Sequence, residues 1–138
     1  MPRLAGADVS RMKLSAPVLD APDPHALANF YRRLLGWTVV QREPDWVKLR
    51  PPGGGTGLSF QTEPIYEAPT WPASAGAQQI MTHLDFEVED LDAAGTHAEE
   101  AGAVLAGFQP DDDVRVYLDP VGHPFCLFLA EAETPMDP

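Results

Sequence analysis

Apolar and polar positions along this chain spell out one order of elements, written twice. Residues 12–21 read as extended, with Pro17 and Pro22 marking an edge position or an irregular end. Asp23-Pro24 then opens a helix, with a side-chain oxygen at the N-cap and a proline at the first helical position. Leu27, Phe30, Tyr31, Leu34 and Leu35 follow at i, i+3, i+4, i+7 and i+8, one buried stripe, and Gly36 stops it. Three short strands are predicted next, over 37–43, 45–50 and 57–62. Glu43-Pro44-Asp45 turns between the first two, and Pro51-Pro-Gly-Gly-Gly-Thr-Gly57 leads into the third. That glycine run lacks a Gly-Lys-Ser/Thr ending and precedes no helix, so it reads as a loop and not as a phosphate cradle.

Residues 63–79 hold Pro64, Pro69, Pro72 and Gly76 with little periodicity, a linker long enough to contribute a flap. The second copy begins with Ile80, Thr82, Leu84, Phe86 and Val88 alternating with Met81, His83, Asp85 and Glu87. This predicts a strand that packs the first set on helices and turns the second to an open face. Asp90 caps a helix whose stripe, Leu91, Ala94, Ala98 and Ala101, is small enough to let it lie close to its sheet. Strands near 103–108, 113–119 and 124–130 complete the copy, with the tight turn Asp119-Pro-Val-Gly122 before the last. Asp23 and Asp90 stand 67 positions apart, the period of a repeated β-α-β-β-β unit. The expected fold class is α+β, with helices on one face of a mostly antiparallel sheet. The expected organisation is a tail over 1–11, a single domain over 12–130 (module one 12–62, linker 63–79, module two 80–130) and a tail over 131–138.

At 138 residues the chain is long enough for one domain with a real core. Its net charge of −12 repels phosphate backbones and anionic lipid, so neither nucleic acid nor a membrane is an expected partner. No apolar run approaches the roughly 20 residues that span a bilayer, and the N-terminus has no secretory pattern, so a cytoplasmic protein is expected. The lone Cys126 allows no internal disulfide.

Three segments carry a resemblance. Asp23 through Phe30-Tyr31 to Leu35-Gly36-Trp37, the strand His83-Leu-Asp-Phe-Glu-Val-Glu-Asp90-Leu, and Asp119-Pro-Val-Gly-His-Pro-Phe-Cys126 together resemble the vicinal oxygen chelate superfamily. It includes glyoxalase I, extradiol dioxygenases, fosfomycin-resistance enzymes and bleomycin-binding proteins. The linker Trp-Pro and the His-Pro-Phe-Cys ending look most like its glyoxalase-like branch. The resemblance implies two tandem βαβββ modules curling into a cupped mixed sheet, a homodimer, and a divalent metal held by four side chains from the first and last strands of each module. The position seven residues before the capping aspartate is Ala16 in module one and His83 in module two. The last-strand position of module two is Cys126, and the fourth falls at Ser59 or Gln61. Ala16 has no donor, and one histidine with one cysteine falls short of the three protein ligands of an open catalytic zinc. No metal and no cofactor are therefore expected.

Without a metal, the candidates are the side chains on the open faces. His83 and Cys126 should share the cup, either as a thiolate–imidazolium nucleophile or with Cys126 as a half-buried, small apolar filler, the reading preferred here because it sits in the apolar run Phe125-Cys-Leu-Phe-Leu129. Asp85 should orient His83 or contact a ligand. Parity with Val47 and Leu49 places Trp46 and Lys48 on the open side, and the same parity is extended to Arg115, Tyr117 and Phe128. Trp71, on the linker, could fold over the opening. The expected ligand-binding residues are Trp46, Gln61, His83, Asp85, Tyr117 and Cys126. The expected function is binding of a small organic molecule in the sheet cleft, whether or not a reaction follows. The alternatives are a metal-dependent lyase, isomerase or dioxygenase, which needs a donor beyond Gln61, His83 and Cys126, and a dimeric interaction module with no ligand.

Overall fold

The computed structural model describes residues 12–137; the proposed tail over 1–11 lies outside them. Module one runs β1 (Val18–Ala21), α1 (Pro24–Leu35), β2 (Thr38–Glu43), β3 (Trp46–Arg50) and β4 (Leu58–Thr62). Module two repeats the order as β5 (Leu84–Val88), α2 (Leu91–Ala101), β6 (Val104–Leu105), β7 (Val114–Leu118) and β8 (Pro124–Leu129). Each makes a four-stranded mixed sheet of the same topology, β1-β4-β3-β2 and β5-β8-β7-β6. The first strand pairs parallel with the last, and the other pairs are antiparallel. The α+β fold of two tandem βαβββ modules is thus what the chain adopts.

The helix ends follow from local chemistry. Asp23 accepts from the backbone N–H of His25 (3.0 Å) and Ala26 (3.3 Å), with Pro24 in the first turn. Gly36, at φ +72°, donates its N–H to the Arg32 carbonyl at 2.8 Å. Asp90 caps α2 through Ala93 N–H at 3.0 Å. Such N-caps contribute about 1 kcal/mol each.

Three strands are shorter than the sequence pattern suggests, and for two of them the reason is identifiable. Pro17 has no N–H, so before Val18 the chain only lends carbonyls to the next strand, Ser15 to Gly57 N–H (2.9 Å) and Pro17 to Ser59 N–H (3.0 Å). Beyond Leu105, the side-chain amide of Gln109 takes over the edge of β7: it accepts from Val116 N–H (2.9 Å) and donates to the Val116 carbonyl (2.8 Å). After one more backbone bond, Ala106 N–H to the Val116 carbonyl (3.0 Å), the Gln109 side chain takes the place of the ladder, and β6 is left with two residues. The strand expected from Ile80 starts at Leu84 instead.

One core joins the modules. Phe30 and Tyr31 of α1 meet Phe125 of β8 at ring-centroid distances of 6.1 and 6.3 Å, and Tyr31 stacks on Phe60 of β4. All four rings are fully buried. Within this core lies the carboxylate of Asp119, from the turn before β8. Its Oδ2 accepts from Tyr31 Oη at 2.8 Å and meets His123 Nδ1 at 2.7 Å; its Oδ1 accepts from the N–H groups of Val121 and His123, both at 3.0 Å. A buried carboxylate is costly unless satisfied, and here four donors satisfy it. The Tyr31 hydroxyl, desolvated and facing Asp119, has its pKa raised well above the usual phenol value.

Removing one of those donors should be felt. Tyr31→Phe is expected to destabilise by about 1–3 kcal/mol, and Asp119→Ala by more, because it strands the phenol and two backbone N–H groups. Urea denaturation of the two variants checks this; wild-type midpoints in both would contradict it.

Candidate functional site

The two modules share a frame but not their open faces. In module two, β5 and β8 pair Asp85 with Cys126 and Glu87 with Phe128, while β7 sets Val116 opposite Cys126 and Val114 opposite Phe128. Leu84, Phe86 and Val88 pack on the core. His83 and Asp85 alternate with them and face out, as the pattern of the strand predicts. The result is a cleft of about 600 Å³ on the open face of β5, β8 and β7. His83, Asp85 and Cys126 lie together there, with Phe128, Val114 and Leu129 along the apolar part. Asp111, Asp113 and Glu131 add carboxylates to that of Asp85, and neither lysine nor arginine is among the lining residues.

His83 Nε2 lies 3.0 Å from Asp85 Oδ1. The donor atoms of His83, Asp85 and Cys126 are all within 4.8 Å of one another. Burial, the Asp85 charge and a hydrogen bond to Asp85 push the Cys126 thiol up to about 11. That is the opposite of what a thiolate nucleophile needs, and it favours the small half-buried filler over the thiolate–imidazolium pair.

The remaining expected residues fall elsewhere. Trp46 and Gln61 face each other across β3 and β4, on module one's open face. Trp46 Nε1 donates to Gln41 Oε1 at 2.8 Å, and Gln61 Nε2 donates to Asp20 Oδ1 at 2.8 Å. Neither lines the module-two cleft. Tyr117 is a correction: it is buried in the core, stacked on Phe125, with its hydroxyl donating to Glu99 of α2 at 2.9 Å. The registers show why. Tyr117 pairs with Phe125 as Leu49 pairs with Leu58, so it answers to the core residue Leu49 and not to Trp46. Gly95 makes room for it, since a Cβ there would sit 2.5 Å from the Tyr117 hydroxyl. Arg115 likewise turns to the helix and pairs with Asp92 at 3.0 Å. Trp71 donates its indole N–H to the Phe108 carbonyl at 2.9 Å. Asp111, Asp113 and Glu131 were not legible as cleft residues, since they lie in or next to loops whose course the periodicity does not fix.

The same registers test the metal that the resemblance implies. Val18 pairs with Ser59 as Asp85 pairs with Cys126, which makes Ser59 the counterpart of Cys126. Module one therefore offers Ala16, Val18 and Ser59 where module two offers His83, Asp85 and Cys126. Lys48, opposite Ser59 and only 8% exposed, brings an ammonium that hydrogen-bonds Ser15 Oγ. A methyl, an isopropyl and a hydroxyl beside a buried cation do not hold a divalent ion. The four-donor site shared between modules does not fit this chain.

A family model described as a glyoxalase-like domain matches residues 16–128, nearly the whole described chain. The chain belongs to the glyoxalase-like domain family, within the vicinal oxygen chelate superfamily. Solved structures share the fold of this glyoxalase-like chain at lower identity. A glyoxalase family protein from Enterococcus faecalis is 23% identical, with 87% of this chain and 99% of that one covered and a TM-score of 0.64. TnmS3, an antibiotic binding protein from Streptomyces sp. CB03234, is 18% identical over 90% and 100%, at 0.61. Oxidase ChaP-H2 is 20% identical over 88% and 95%, at 0.60. A local match to Fervidolysin of Fervidobacterium pennivorans, 32% identical over 91 residues, covers 62% of this chain and 13% of that protein. The glyoxalase-like chain thus spans about an eighth of that relative's length. Among the described residues, no helix is long and apolar enough to cross a membrane.

The state of the thiol is directly measurable. Iodoacetamide labelling of native protein should stay slow at about pH 8 and rise along a titration centred near 11. The raised value also means that the folded state holds the proton longer than the unfolded one. Stability from this group is complete below the ordinary thiol pKa and is lost as pH rises through about 11. Rapid stoichiometric labelling below about pH 7 would contradict the assignment.

Proposed function

We propose that this chain binds a small organic molecule in the module-two cleft, without the four-donor metal of its better-known relatives. One observation carries the reading: a hollow of about 600 Å³ with an apolar part at Phe128, Val114 and Leu129 and a compact polar group at His83, Asp85 and Cys126. Apolar walls with a few convergent polar groups are what small-molecule sites are made of. An antibiotic-binding protein among the fold neighbours is in keeping with it. The lining has four carboxylates and no lysine or arginine, so the field in the cleft favours molecules carrying a cationic amine and disfavours carboxylates and phosphates.

The working form in this reading is a cytoplasmic homodimer. Among the described residues β2 and β6 are sheet edges paired on one side, and Val40, Val104, Leu105 and Phe108 on or near them are exposed apolar side chains that a second copy would cover.

Two measurements test this. In fluorescence titrations, aromatic amines are expected to bind and aromatic carboxylates of equal size are not. Phe128→Ala should weaken amine binding roughly tenfold or more, the loss expected when a buried ring contact is removed. Equal binding of the carboxylates, or an unchanged Phe128→Ala, would count against the cleft. Light scattering at micromolar concentration should give twice the chain mass; a monomer mass would reject the dimer.

A further inference from the structure

We infer that His83, Asp85 and Cys126 form a three-donor site for a soft or borderline divalent cation such as zinc or cadmium, built within module two alone. Two of its donors, His83 and Cys126, stand at the ligand positions that the resemblance assigns to module two; what differs is the third donor and the absence of any donor from module one. The site uses Asp85, which is not one of the four inherited positions, and it needs nothing from Ala16, Ser59 or Gln61.

The geometry follows from the sheet. His83 lies just before β5 and Asp85 is its second residue, two positions on, and Asp85 is the direct parallel partner of Cys126 on β8. An imidazole, a carboxylate and a thiol therefore stand at the corners of a small triangle. Metal–ligand lengths of about 2.0–2.3 Å around a tetrahedral ion put donor atoms roughly 3–4 Å apart. Here His83 Nε2 and Asp85 Oδ1 are 3.0 Å apart, and all three donor atoms lie within 4.8 Å. Small rotations of exposed side chains close the remainder, since His83 and Asp85 are each about half exposed. Three protein donors with the fourth side open to the cleft is the pattern of an accessible zinc site.

The donor set decides the ion. One carboxylate is too few for calcium or magnesium, which take mostly oxygen ligands, while a thiolate with an imidazole favours zinc and cadmium. Asp111, Asp113 and Glu131 line the same cleft without ligating, and their charge raises the local concentration of any cation. The Cys126 thiol proton leaves to solvent as the sulfur–metal bond forms. The site shares these three side chains with the organic-ligand reading but does not depend on it, because a bare ion is enough to fill it.

Cys126 is the single cysteine of the chain, which makes the test specific. Cadmium chloride is titrated into the purified full-length protein while thiolate-to-cadmium charge-transfer absorption is followed. The band should saturate at one equivalent, vanish in Cys126→Ser, and need at least about tenfold more cadmium in His83→Ala and in Asp85→Asn. Circular dichroism should show all three variants folded, because the substituted groups lie on the open face. Zinc should bleach the band by displacement, and excess magnesium should not. No band at stoichiometric cadmium, or a band of undiminished affinity in both His83→Ala and Asp85→Asn, overturns the site. Loss of cadmium binding alongside intact amine binding rejects the metal alone, and the reverse rejects the organic ligand alone.

Discussion

The hydrogen bond from Tyr31 to the buried carboxylate of Asp119 is the contact on which the rest of the molecule turns. It ties the helix of module one to the turn that launches the last strand of module two. The same carboxylate gathers the N–H groups of Val121 and His123, so the turn has one conformation and β8 leaves it in one register. That register puts Cys126 opposite Asp85 and Phe125 in the core. The chemistry of the cleft thus rests on a polar contact buried on the far side of the sheet. An apolar substitute for Asp119 would leave the turn with orphan donors, a cost no added hydrophobic contact recovers easily.

Duplication gave both modules the same strands and pairings, and the open faces then diverged. In module one the central positions are Ala16, Val18 and Ser59 with Lys48 buried beside them, a face that closes on itself through Ser15. In module two they are His83, Asp85 and Cys126, with Val116 in the place of Lys48. A buried ammonium and a carboxylate–imidazole pair favour opposite ligands. The second face is acidic, open and rich in donors, and the acidity extends to the loops around it.

Much of this was legible from the residues alone. The caps Asp23 and Asp90, the stripe Leu27 to Leu35 and the strict alternation from Leu84 to Val88 each have one physical solution, and the chain adopts it. His83 and Asp85 were placed on the open face by that alternation. Tyr117 was not, because Val-Arg-Val-Tyr-Leu carries no clean contrast between faces. Its amphipathic ring suits a core provided the hydroxyl finds a partner, and only tertiary structure reveals Glu99 and the gap at Gly95. His83, Asp85 and Cys126 were expected in one cup but not as a donor triangle, for a related reason. Spacing shows that His83 and Asp85 share a face, but their closeness to Cys126 depends on the register between β5 and β8, which local sequence does not encode.

The central claim is that the functional groups of this chain converge in module two and owe nothing to module one. An anomalous-difference map from crystals grown with cadmium tests it most directly. One strong peak enclosed by His83, Asp85 and Cys126 is expected, with none against Ser59 or Gln61. A peak shared between the modules, or a module-two cleft in which those three side chains point apart, would contradict it.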